Sequence, residues 1–196
     1  MVTRASGQLT AALDHAERGL ACVPRGLPRA QLHAWAELPT LAALERVQDA
    51  ERALADAARA LEEDPVGSAP GRFGFDDAEH RLHEAEAHRM LGRTDQAVAA
   101  AEASLGTCLT GTSGWAAASL TLAQAEAPVR PSDAAQRALD VLQRIPAVRL
   151  RSTARARLAQ LDGALAPVTA VGVTELRERV RTLTPAINVH GTAEGA

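Results

Sequence analysis

The chain has no lysine and no tyrosine, and only two cysteines, two tryptophans and two phenylalanines in 196 residues. Each shortage excludes something. Without lysine there is no phosphate-binding loop of the Gly-x-x-x-x-Gly-Lys type. Aromatic and β-branched residues, which favour strands, are scarce, and this argues against a β-sandwich, a β-barrel or a Rossmann-type sheet. Cys22 and Cys108 give neither a disulfide framework nor a zinc spacing and read as two buried thiols of a cytosolic protein. No Gly-x-Ser-x-Gly elbow is present. Apolar runs are a few residues long, against the roughly 20 that a membrane helix needs. Met1–Ser6 is not followed by the apolar stretch of a secretory signal. A net charge of −3 and a pI near 6.1 leave no global basic surface, so direct nucleic-acid binding without an additional domain is not expected.

What the chain has is alanine and leucine, 44 and 24 copies, the strongest helix formers. One pattern recurs: Ala, three residues, Ala, three residues, Leu. It stands at Ala12-Ala16-Leu20, Ala53-Ala57-Leu61, Ala97-Ala101-Leu105 and Ala134-Ala138-Leu142, with spacings of 41, 44 and 37 residues. Steps of four hold the three side chains on one helical face, and alanines there let a second helix approach closely. Pro24, Pro65 and Pro146 close three copies, and Thr110-Gly111-Thr112-Ser113-Gly114 closes the other. Gly92 suits a helix C-cap, Thr94 or Asp95 an N-cap, and Pro131-Ser132-Asp133 another helix start. Each copy therefore reads as the second helix of a pair.

First helices are predicted over Leu27–Glu37, which Pro39 should kink or end, over Phe75–Leu91, opened by Asp76-Asp77, and over Ser113–Ala125. A long helix at 148–166 and a terminal one at Val173–Leu183 follow. Val66–Gly74 reads as a loop and Asn188–Ala196 as a tail. The expectation is one all-α domain over 1–184, with units near 8–24, 27–65, 75–109, 113–146 and 148–184, and a flexible tail at 185–196. It is a right-handed α-solenoid of antiparallel helix pairs, about 7–9 helices in all, closed by a C-terminal capping helix.

Paired helices with alanine opening the second, and the turn Leu91-Gly92-Arg93-Thr94-Asp95-Gln96-Ala97 between helices, resemble the tetratricopeptide repeat (TPR). The segments 85–97 and 151–161 are more narrowly similar to the C-terminal TPR domain of actinobacterial helix-turn-helix regulators of the XRE type. The pattern departs from the family where alanine replaces an aromatic at positions 16, 57, 101 and 138, and no DNA-binding domain precedes Ala12. The resemblance implies a concave groove lined by the first helices. Carried over by alignment, its positions are Trp35, Leu38, Ala42, Glu45 and Arg46, then Glu79, Leu82, Glu86, Arg89 and Met90, then Ala116, Ser119, Ala123 and Glu126. An apolar floor with Glu and Arg suits an extended peptide or amphipathic helix, with Trp as anchor and Arg as a fork for carboxylate. Trp35 and Trp115 read equally as core residues.

The densest chemistry lies in one predicted helix. His80, Glu84 and His88 are four apart and share a stripe, with His83 one position off it. These four are the acid/base candidates, although their spacing is not the zincin His-Glu-x-x-His. Neither a metal nor a cofactor is expected. Arg144, Arg149, Arg151, Arg155 and Arg157 form the one basic run, suited to phosphates, to an acidic partner, or to neutralising acidic helices nearby. The leading expectation is a cytoplasmic binding module for a peptide, protein or small-molecule effector, with homodimerisation as an option. The alternatives are an enzyme of secondary metabolism using His80, His83, Glu84 and His88 in an enclosed pocket, and a plain scaffold.

Overall fold

A computed structural model describes residues 7–63 and 75–183. The predicted loop at 66–74 and the tail at 185–196 lie outside these residues. Among the described residues there is no strand. The chain runs through α1 (Leu9–Cys22), α2 (Leu27–Leu32), a π turn (His33–Glu37), α3 (Leu38–Ala43), α4 (Val47–Glu62), α5 (Asp77–Met90), α6 (Thr94–Thr107), α7 (Ser113–Glu126), α8 (Pro131–Arg144), a 3-10 turn (Ala147–Arg149), α9 (Ser152–Leu165) and α10 (Val173–Leu183). None of these helices is long and apolar enough to cross a membrane.

The recurring stripe is what the helices bury. Ala12, Ala16, Leu20, Ala53, Ala57, Leu61, Ala97, Ala101, Ala134 and Ala138 are all in the core, and Leu105 and Leu142 pack against it. Helices follow one another in contact: α5 packs on α6, α6 on α7, α7 on α8, and α9 on α10. The first helices of the predicted units also touch in series, α3 with α5, α5 with α7, and α7 with α9. As a result α7 is enclosed on most sides; Trp115 and every residue from Ala118 to Glu126 are buried. Trp115 belongs to the core formed with α8, α9 and α10, and the Arg144 guanidinium lies 5.9 Å from its ring centre.

Local chemistry explains the helix ends. The Asp76 carboxylate accepts the Glu79 amide at 3.0 Å and starts α5. At the other end Gly92, at φ 72°, donates to Arg89 O, and the Arg93 amide donates to His88 O, forming a Schellman turn. That turn leads straight into α6 at Thr94, whose N-cap is Arg93; neither Thr94 nor Asp95 caps it. Pro131 opens α8 in its first turn.

Pro39 does not end its helix. The rod continues from Leu27 to Ala43, and the five residues before Leu38 rewind into a π turn in which the Leu38 amide reaches the His33 carbonyl. The Thr40 hydroxyl donates to Ala36 O at 2.6 Å, a back-bond of the kind that bends helices. A proline inside a helix lacks one donor and crowds the carbonyl four residues back; a π turn just ahead of it relieves both.

Candidate functional site

Helix α5 carries the site because it is packed on several sides, against α3, α4, α6, α7 and the π turn. Its polar side chains are thereby pressed between neighbours and must pair there. Glu79, His83 and Glu86 lie one turn apart along one stripe. The His83 Nδ1 is 3.2 Å from Glu86 Oε2, and its Nε2 is 3.4 Å from Glu79 Oε1. The Nε2 contact is an ion-pair distance without hydrogen-bond geometry. Glu86 accepts from the Arg157 guanidinium of α9 with its other oxygen. Gln124 of α7 donates to the Arg157 carbonyl at 3.0 Å and to Gln160 Oε1 at 3.1 Å, holding the α9 backbone beside α7. A polar array thus runs from α5 to α9 along α7.

Aromatic rings close the other end. The Trp35 ring, from the π turn, meets His83 edge-on at 6.5 Å and Phe75 at 5.5 Å, and Phe75 meets His80 at 6.5 Å. Within the same turn His33 Nδ1 and Glu37 Oε2 are 2.5 Å apart. The Trp35 indole nitrogen, His33 Nε2, Arg89 Nε and Arg157 Nε are buried without a hydrogen-bond partner among the described residues.

The electrostatics follow from this packing. Burial pushes the His83 pKa down, but the carboxylates of Glu79 and Glu86 on both sides outweigh it, and the net shift is upward. Burial pushes Glu86 up, yet the His83 hydrogen bond and the Arg157 charge hold it at about 2. Burial lowers Arg89, which the Glu86 charge opposes and the Arg157 charge reinforces. The two carboxylates beside His83 therefore favour its protonated form and occupy its surroundings, which disfavours a role as a free base.

The expected stripe of His80, Glu84 and His88 behaves differently. Glu84 sits 2.9 Å from Arg81 and 3.8 Å from His88. The His88 hydrogen bond, opposed by burial and assisted by Arg81, holds Glu84 at about 2. His80 is buried against Phe75, its Nδ1 has no partner, and burial lowers its pKa. The four acid/base candidates are thus divided among three environments: His83 with Glu79 and Glu86, Glu84 with Arg81 and His88, and His80 with Phe75. Among the described residues no group of three or more His, Cys, Asp or Glu side chains is arranged to hold a metal ion.

Of the groove positions carried over by alignment, the structure brings Trp35, Glu79, Glu86 and Arg89 into this one region. Leu38, Leu82 and Ser119 are buried in the core. Met90 is exposed. Arg46 lies in the turn before α4, where it pairs with Asp49. Glu45 takes the place that Gly92 has in the later turn: its amide donates to Ala42 O, the Arg46 amide donates to Leu41 O, and its φ is 58°. By this matching turn Ala50, not Ala53, stands opposite Ala97, so the second unit's register differs by three residues from the alignment.

Arg157 and Phe75 were not singled out for this region by sequence. Arg157 appears there only within the basic run, which the structure divides. Arg144 pairs with Asp140. Arg155 donates to the carbonyls of Ala147, Leu150 and Leu183. Arg157 takes Glu86. No protein family matches the chain, and neither does any curated protein or any solved structure.

Proposed function

We propose that the protein is a binding module, a TPR-like right-handed stack of antiparallel helix pairs capped by α10. In this reading it is akin to the sensor domain of actinobacterial XRE-type regulators and works in the cytoplasm. It takes up a peptide, protein or small effector on the face carrying Trp35, Glu79, His83, Glu86 and Arg89. The contacts of α3, α5, α7 and α9 in series support the stack.

One observation carries the binding role. The Glu79–His83–Glu86–Arg157 array is nearly self-neutralised, yet donors at both ends, the Trp35 indole N–H and the Arg89 Nε–H, have no acceptor among the described residues. Buried donors are normally satisfied, and a partner bearing carbonyl or carboxylate oxygens would satisfy these. Arg89 and Arg157 balance Glu79 and Glu86 in formal charge, and the upward shift of His83 tips the region toward positive, which favours an acidic partner. The enzyme alternative gains nothing comparable, because its four residues do not converge.

The test is selection from a random peptide library on the immobilised protein, with Trp35→Ala and Arg89→Gln as counter-targets. Acidic sequences should be enriched and should bind either variant at least tenfold more weakly, as loss of an anchor or a charge-assisted bond implies. Native mass spectrometry of the purified protein covers a small effector: a mass lost on denaturation, and absent from both variants, supports the reading. No enriched peptide and no retained mass, or ligands indifferent to both substitutions, overturns it.

A further inference from the structure

A second, separate feature lies at the start of α7. The connections 108–112 and 145–151 face each other across a cleft of about 220 Å3. Its apolar wall includes Ala116, Ile145 and Ala154, and Thr112, Ser113 and Thr153 bring hydroxyl groups. Arg149 and Arg151 complete the lining.

The arginines distinguish this cleft from an ordinary surface fold. Seven arginines fall between positions 130 and 157. Arg130 and Arg137 pair with Glu126, Arg144 with Asp140 and Arg157 with Glu86, and Arg155 ties three backbone carbonyls. The two left without a partner among the described residues, Arg149 and Arg151, are the two that line the cleft. In a chain of net charge −3, carboxylates were available to neutralise them. Next to the lining on the two connections stand Leu109 and Val148, 78% and 90% exposed. The site therefore offers paired cationic forks beside an apolar wall and rim. A guanidinium fork matches the planar oxygens of a carboxylate or the edge of a phosphate. The volume is below the 300–1,000 Å3 or so of sites for drug-sized ligands, so the occupant is small.

We propose that this cleft binds a small organic oxyanion, a carboxylate or phosphate monoester, bearing a short apolar group. The site is independent of the Trp35–Arg157 array and of the function proposed for it.

The experiment is a 1H–15N NMR titration of the full chain with butyrate, butyl phosphate, inorganic phosphate and butanol at constant ionic strength. Saturable shifts are expected at the amides of Thr112, Ser113, Thr153 and Ala154 with butyrate or butyl phosphate. The headgroup that saturates at lower concentration identifies the source of the oxyanion. The double variant Arg149→Gln/Arg151→Gln should lose at least tenfold in affinity, as two charge-assisted contacts imply, with the rest of its spectrum unchanged. Arg144→Gln, outside the cleft, should bind as the parent does. Three results would overturn the proposal: no saturable shift with either organic anion, an equal response to butanol or to inorganic phosphate, or unaltered binding by the double variant.

Discussion

Replacing Glu86 by glutamine removes one charge from the α5–α9 array and leaves its shape almost intact. The carboxyl is held at about 2 against an ordinary 4.5, and a displacement of that size corresponds to about 3 kcal/mol favouring the ionised, folded form. The Glu86 and Arg157 side chains are 18% and 14% exposed, so solvent screens the pair only in part. Glutamine still accepts a hydrogen bond but leaves Arg157 without a countercharge in a half-closed site. The expected cost at pH 7 is about 2–3 kcal/mol, read as a fall of roughly 4–12 °C in Tm for a chain of this length. The pH dependence carries the sharper test. A depressed folded pKa contributes stability that is full above pH 4.5 and fades as pH falls from there toward 2. In urea titrations the gap between the parent and Glu86→Gln should therefore be full near pH 5, below the titration of His83, and narrow below 4.5. Arg157→Gln should couple to Glu86→Gln by more than about 1 kcal/mol in a double-mutant cycle. A variant within about 0.5 kcal/mol of the parent at pH 7, the usual range for uninvolved surface positions, would refute the reasoning. So would a gap that does not change with acid.

Two of the three histidines of α5 should titrate on opposite sides of 6.5, His83 above it and His80 below. His83 then contributes stability that is full below 6.5 and is lost as pH rises through its higher folded value, whereas His80 opposes folding as pH drops below 6.5. Imidazole NMR shifts, assigned with His80→Gln and His83→Gln, check this, and values on the same side contradict it. Glu126 is 1% exposed and held by Arg137 at 2.9 Å and Arg130 at 3.1 Å. Arg130→Ala combined with Arg137→Ala strands that buried carboxylate and should cost about 3 kcal/mol, whereas Glu126→Gln should cost less, because Arg130 and Arg137 can turn to water; thermal melts showing the reverse order would be inconsistent with this clip. Gly92 and Glu45 occupy the same left-handed position in equivalent turns. Gly92→Ala should destabilise by about 1 kcal/mol and Glu45→Gly should stabilise by up to about that amount, and denaturation midpoints moving the other way would reject the equivalence.

The helical fold was legible because its signals are local. The alanine stripes, the Asp76 cap, the Gly92 turn and Pro131 each act within a few residues, and each recurs in the structure at its expected place. The discrepancies arise where a local rule meets a second one. Pro39 reads as a kink or a stop, and which of the two results is decided by the Leu38 amide reaching back to His33, so the rod rewinds instead of ending. The Arg46 turn went unrecognised because Glu45 stands where glycine is the usual signal, and the three-residue register difference in the second unit follows from that substitution.

The site divides along the same line. Glu79, His83 and Glu86 fall four and three residues apart, so their shared stripe on α5 is readable from spacing. The stripe of His80, Glu84 and His88 has equally good spacing, and nothing in the helix itself ranks one above the other. Packing ranks them. Phe75 covers His80, Arg81 satisfies Glu84, and only the stripe of Glu79, His83 and Glu86 meets Trp35 at one end and Arg157 at the other. Arg157 lies 71 residues from Glu86, and its role depends on α5 and α9 both packing against α7. A charge run in one dimension therefore becomes four roles in space: Arg144 pairs with Asp140, Arg155 ties carbonyls, Arg157 completes the array, and Arg149 and Arg151 line the cleft. The chemistry of each arginine is set by what the fold brings it, and the two that receive neither a carboxylate nor a carbonyl among the described residues are the two that line the cleft.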